Sequence, residues 1–165
     1  MKKLSIILSF TMLGLFASLG VDAQNYKSAL GIRLGNPWSV SYKKFVTGTN
    51  AVEVYAGYRG WNDYNWFSVN AAYLVHNNLA GLDNLKWYYG AGLGVYFWNY
   101  GDSFPGDSSS STTFSVQGYL GLEYTFDDAP FSLSLDWVPT YFFKGYAKGF
   151  GSDYGNLGIR YVLGR

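Results

Sequence analysis

At 165 residues, with 12 basic against 11 acidic side chains and not one cysteine, the chain is the size of a single domain. That balance excludes a nucleic-acid-binding field or an acidic tail, and the missing cysteine excludes disulfides, thiolate chemistry, thiolate metal sites and a lipoprotein anchor. What is abundant is aromatic or small, 6 Trp, 16 Tyr, 12 Phe and 21 Gly, a mixture suited to closely packed strands girdled by rings.

Residues 1–23 read as a secretory signal peptide. Lys2 and Lys3 give a positive start, residues 4–21 are mostly apolar, and Val21-Asp22-Ala23 offers small residues for cleavage before Gln24. A mature domain is expected over residues 24–165. No later stretch is long and apolar enough to cross a membrane as a helix, so any crossing would use strands.

The mature chain then alternates with a period of two. Residues 27–35 set Leu30, Ile32 and Leu34 against Ala29, Gly31 and Arg33, and Asn36-Pro37 turns the chain. Residues 38–46 return with Val40 and Tyr42 opposed to Ser39, Ser41 and Lys43, leaving Lys44 on the apolar face. Residues 51–59 place Val52, Val54 and Tyr58 opposite Glu53, Tyr55 and Arg59. Residues 66–75 place Phe67, Val69, Tyr73 and Val75 opposite Ser68, Asn70 and Ala72, with Leu74 the exception. A longer connection is expected over 76–85. Residues 86–98 then set Trp87, Tyr89, Leu93 and Phe97 against Tyr88, Gly90, Gly92, Gly94 and Tyr96. Glycine in G-x-G-x-G spacing inside a strand, with no helix after it, reads as inward packing space and not as a nucleotide loop.

The polar run 99–112 is the longest expected loop, and the sixth strand begins near Thr113. Residues 118–139 show the pattern most fully. Leu120, Leu122, Tyr124 and Phe126 oppose Tyr119, Gly121, Glu123 and Thr125; Asp127-Asp128-Ala129-Pro130 is turn chemistry; then Phe131, Leu133, Leu135 and Trp137 oppose Ser132, Ser134 and Asp136. After an expected loop at 142–152, residues 153–164 set Leu157, Ile159, Tyr161 and Leu163 against Asn156, Gly158, Arg160 and Val162. The count is eight strands, long enough to cross a bilayer when tilted. With both chain ends on the periplasmic side, the connections at 36–37, 60–65, 99–112 and 142–152 lie outside, and those at 47–50, 76–85 and 127–130 inside.

Parity alone permits a soluble barrel with an apolar core or a membrane barrel with an apolar rim. Two features favour the second: the charge-bearing face is rich in Gly, Ala and Ser, and Trp38, Trp66, Trp87 and Trp137 are read on the outer face toward strand ends. The run GLEYTF, a short turn ending in Pro and then SLSLDW-x-P resembles the small eight-stranded outer-membrane barrels common in Bacteroidetes-type bacteria, related in architecture to OmpX and OmpA. LGIRLGNPWSVSYKKF followed by NAVEVYAGYRG is similar to the same group, although the chain closes Leu163-Gly164-Arg165 where many such barrels end on an aromatic residue. The resemblance implies an all-β, antiparallel, up-and-down transmembrane barrel in the outer membrane of a Gram-negative bacterium, behind a cleavable signal peptide.

In this register Arg33, Lys43, Glu53, Arg59, Glu123, Asp136 and Arg160 all face the interior. An eight-stranded barrel is only wide enough for side chains to fill, so these charges are expected to pair in a lumen network and to leave no open pore. The one histidine, His76, is read as a solvated turn residue. No catalytic, metal or cofactor site is expected, and the expected role is structural or surface-interacting. The alternatives are a lipid-modifying enzyme with a Ser/His/acid group at the rim, a narrow ion channel, and a secreted lipocalin-like binder. Expected partners are outer-membrane lipid, the barrel-assembly machinery during insertion, and an extracellular ligand met through loop 99–112 by Tyr100 and Phe104; the chain is expected to be monomeric.

Overall fold

The structure, a computed structural model, describes residues 26–60, 64–100, 110–144, 148–151 and 154–164. The signal-peptide reading of residues 1–23 lies outside the described residues. Ten strand segments follow in order: β1 Ser28–Gly35, β2 Trp38–Phe45, β3 Asn50–Gly60, β4 Tyr64–Leu79, β5 Leu82–Tyr100, β6 Ser110–Thr125, β7 Phe131–Trp137, β8 Thr140–Phe142, β9 Gly149–Gly151 and β10 Gly155–Gly164. Their hydrogen-bonded order, β5-β4-β3-β2-β1-β10-β7-β6, is closed by pairing of β5 with β6.

Eight staves result because two are interrupted. β8 continues the line of β7 past Pro139, which has no N–H to give to a ladder. The break is stitched by Gly118 N–H donating to Pro139 O and Val138 N–H donating to Tyr154 O, at 2.9 and 2.7 Å. β9 likewise precedes β10. Trp137 pairs with Gly155 and Thr140 with Gly151, so the β9–β10 side has one more residue between these pairs than the β7–β8 side. The chain is therefore a closed, antiparallel, eight-stranded β-barrel.

Register fixes which residues meet. Glu53 pairs with Lys43 on one side and Ala72 on the other, and Lys43 pairs with Ala29. Traced all the way round, the partners return to β3 about ten residues from the start, the stagger that accompanies strand tilt in a closed barrel. Rows of partners consequently climb around the wall.

The strands are longer than their sequence pattern suggests. The connection expected at 76–85 shrinks to residues 80–81, where Gly81 at φ +84° takes a left-handed turn that a side chain would resist. Asn77 pairs with Trp87 and Asn78 with Lys86, so the polar residues taken for a loop are ladder. At the other end β5 reaches Tyr100 and β6 starts at Ser110. The expected loop 99–112 is thus strand at both margins; its remainder, including Phe104, lies outside the described residues. The loop expected at 142–152 contains β9. Short turns at 46–49, 80–81 and 126–130 share one end of the barrel with Tyr26 and Gly164, the first and last described residues; it is called the lower end below.

Alternation sorts side chains cleanly. Leu122 and Leu135 point outward and are 44% and 62% exposed, while Glu123 and Asp136 next to them are 2% and 4% exposed. One reading of the parity fails: Trp66 points inward with Ser68 and Asn70 and is buried. Trp38 and Trp137 do face outward and are exposed.

Candidate functional site

Because β1 closes on β10, the interior side chains of the first and last staves sit side by side, with those of β2 and β7 next round the wall and those of β3 beyond β2. Arg33 on β1 and Arg160 on β10 converge on a single oxygen, Glu53 Oε1, at 3.0 and 2.6 Å. Arg33 reaches the other way to Asp136 Oδ1 at 2.9 Å, and its guanidinium lies 4.5 Å from the centre of the Tyr55 ring. Arg160 also donates to Ser134 Oγ at 2.8 Å and Ser41 Oγ at 3.2 Å. Asp136 accepts in addition from Tyr88 OH at 2.7 Å. Every one of these groups is buried.

Lower in the barrel the shared anion is Glu123. Lys43 Nζ lies 2.7 Å from its Oε2, Tyr26 OH donates to its Oε1 at 2.7 Å, and Ser132 Oγ donates to the same oxygen at 3.1 Å. Buried Lys86 is its partner in register. Among the described residues the buried ions are three carboxylates and four cations, Arg33, Lys43, Lys86 and Arg160. Negative charge is the scarce partner, and each carboxylate accordingly serves more than one donor. Pairing of this kind is what keeps a buried ion from costing several kcal/mol.

His76 is not a solvated turn residue. The lengthened β4 carries it into the lumen, fully buried between Phe45 and Tyr88, with ring centres 4.9 Å away on each side. Its Nε2 lies 3.2 Å from Glu123 Oε2, yet neither ring nitrogen is in line for a hydrogen bond. Ser132 donates to Glu123 and not to the imidazole. A nucleophile, base and orienting acid in hydrogen-bonded series therefore do not form here.

Above the ions the lumen turns neutral. Gln117 Oε1 accepts from Tyr119 OH at 2.6 Å and Tyr55 OH at 3.2 Å, while its Nε2 donates to Asn70 Oδ1 and Tyr96 OH, both at 2.9 Å. Asn70 passes the chain on to Ser68 at 3.0 Å. Rings close both ends: Trp66, Tyr96, Trp98 and Phe142 at the upper end, Tyr26 and Phe45 with Ala29, Ala51 and Val162 at the lower. Room for these rings comes from small residues opposite them. At Gly121 an added Cβ would lie 2.6 Å from Tyr88 Cζ.

The structure thus brings together six of the seven charged residues singled out by parity: Arg33, Lys43, Glu53, Glu123, Asp136 and Arg160. Arg59 stands apart. It is on β3 six residues beyond Glu53, roughly 20 Å along a strand, and lines an upper-rim cleft with Gly35, Trp38, Tyr58 and Gly60. Tyr100 closes β5. Lys86, His76, Tyr26 and Tyr88 join the cluster unannounced, and the signal that would have found the first two is strand parity carried through residues 76–86.

A closed eight-stranded barrel with an apolar outside and a charged inside is a recognisable class of fold. The chain is similar to Neisserial surface protein A (NspA), with 17% identity over 82% of this chain and 93% of that one and a TM-score of 0.58. It is also similar to the N-terminal β-barrel domain of Pseudomonas aeruginosa OprF, with 20% identity over 84% of this chain and 98% of that one and a TM-score of 0.59. No family model matches the chain, and no curated protein matches it. At these identities the likeness is one of fold.

Proposed function

We propose that the chain is an outer-membrane β-barrel protein of a Gram-negative envelope, of the small Bacteroidetes-type group its two hairpins resemble, delivered by a signal peptide removed after Ala23. Its barrel is a structural and surface-presenting element with a side-chain-filled lumen, no catalysis and no steady ion conduction. The observation that carries this reading is the inversion of the two faces. Leu30, Ile32, Val54, Leu93, Leu122 and Leu135 stand exposed around the outside, while Arg33, Glu53, Glu123, Asp136 and Arg160 are buried within. In water such a belt would be a large unpartnered apolar surface; in lipid it is the expected one.

The lower end, with its short turns and the first and last described residues, faces the periplasm, and the upper end presents loop 99–112 with Tyr100 and Phe104 to the outside for an extracellular ligand. The lipid-modifying alternative needs its base at the lipid rim, and His76 is inside the barrel. Expression of the full chain followed by membrane fractionation and heat-dependent gel migration tests the proposal. The folded protein is expected in the outer-membrane fraction, migrating differently before and after boiling, with Gln24 as its first residue. Recovery as a soluble periplasmic or secreted protein would overturn it, and steady single-channel steps in planar bilayers would overturn the closed lumen.

A further inference from the structure

The rim of the barrel is uneven, and its lowest point is built from the residues that line a cleft. The β1–β2 hairpin turns at residues 36–37, just past the pairing of Gly35 with Asn156 and just before that of Trp38 with Tyr58. Both flanking staves run on. β3 continues through Arg59 and Gly60, which pair with Trp66 and Asn65 of β4, and β9 pairs onward with β8. Among the described residues neither extension has a ladder partner on the side that faces the hairpin. The gap is a notch two staves wide, and Gly35, Trp38, Tyr58, Arg59 and Gly60 line a cleft of about 510 Å³ in it.

The notch also marks where the outer apolar wall is shortest. Trp38, Tyr58, Phe67 and Phe97 form one outward row of partners, and because partner rows climb around a staggered barrel, Trp38 is its low end. Trp38 and Tyr58 are 70% and 57% exposed. A bilayer meeting a locally short wall thins or lets its headgroups drop. A headgroup that drops at this point meets a cleft that Arg59, on the inward face, lines together with two amphipathic rings of the outward face, with glycine at both shoulders in place of side chains. Arginine's planar fork matches two phosphate oxygens at once, and tryptophan and tyrosine settle at the level of headgroup and glycerol. Arg59 has interactions inside the protein as well; five N–H donors leave a phosphate compatible with them.

We propose that the notch above the β1–β2 hairpin seats the phosphate headgroup of a membrane lipid, with Arg59 on the phosphate and Trp38 and Tyr58 flanking the glycerol end of the chains. The proposal rests on the membrane reading above. To test it, the folded full-length protein in mild detergent is mixed with phosphatidylglycerol or phosphatidylcholine, and retained lipid is read by native mass spectrometry. Phosphatidylglycerol is expected to be retained in preference to phosphatidylcholine. Arg59→Gln is expected to lower its retention about tenfold, the loss of one charge-assisted contact. Trp38→Ala is expected to weaken both lipids. Lys44→Gln, an outward cation at the lower end of β2, is expected to change nothing. The proposal is overturned if Arg59→Gln binds like the parent, if Lys44→Gln loses as much as Arg59→Gln, or if inorganic phosphate at equal concentration displaces the lipid and so marks a site for the free ion. Failure of the membrane reading looks different: the protein would then stay monodisperse without detergent and show no heat-dependent gel shift, before any lipid is added.

Discussion

The lower and upper halves of the lumen fill the same narrow space by different means. In the lower half Glu53 takes two arginines, Glu123 takes Lys43 with the hydroxyls of Tyr26 and Ser132, and Asp136 links Arg33 to Tyr88. In the upper half one neutral amide, Gln117, joins Tyr55, Tyr119, Tyr96 and Asn70. A shared ion is a concentrated dependency, because removing one partner leaves the others charged and dry. A neutral hub spreads its loss over several ordinary hydrogen bonds. The two halves therefore differ in how they fail.

That contrast can be broken most severely at Glu53. Glu53→Gln leaves Arg33 and Arg160 facing each other across a neutral amide and is expected to cost about 3–5 kcal/mol, read as a lowered urea midpoint for unfolding from lipid vesicles. A cost no larger than that of a Gln117 variant would remove the distinction between the tiers. Leu135→Arg tests the outer face against the inner one beside it. A cation at mid-belt is expected to cost about 2–4 kcal/mol in a bilayer, and an unchanged midpoint there would argue against lipid at that position. Gln117→Leu strips partners from three tyrosines and an asparagine and is expected to cost about 1–3 kcal/mol, measured in the same way. Gly121→Ala sharpens the role of small residues: its Cβ displaces Tyr88 from Asp136, an overpacking expected to cost about 1–3 kcal/mol. The smallest effect belongs to His76→Phe. The ring stack is kept and no hydrogen bond is lost, so the midpoint is expected to move by less than about 1 kcal/mol; a larger loss would show that the imidazole is charged and bound to Glu123.

Much of this was legible because a strand has a period of two and a closed barrel has only two faces. Arg33, Glu53, Glu123 and Asp136 each sit between outward apolar neighbours, which is enough to send them inward. Strand length was harder to read. His76, Asn77 and Asn78, then Asp83 and Asn84, look like loop because they are polar, yet inward and near-terminal ladder positions accept polar side chains, and Asn84 is engaged by a hydrogen bond to Asp127. Trp66 was misplaced for the opposite reason. Its apolar bulk suggested the rim, while its parity with Ser68 and Asn70 already pointed inward, where the upper end of the lumen is closed by rings. β8 and β9 were hidden by Pro139 and by glycines at 149 and 151, residues that usually end strands. Arg59 shows the limit of parity: facing inward says nothing about height, and height separates it from the cluster.

The convergence of Arg33 and Arg160 on Glu53 has a consequence for how the protein is made. One arginine arrives with the first stave, the carboxylate with the third, and the second arginine only with the last. Until the final strand docks, Glu53 lacks its second cation, Glu123 lacks Ser132 only if β7 is also absent, and the seam lies open beside them. The last-made segment thus works as a latch: its arrival shuts the wall and completes the pairing on Glu53 in one movement, so a polypeptide cut short before it would lack that ion pair as well as the closing strand.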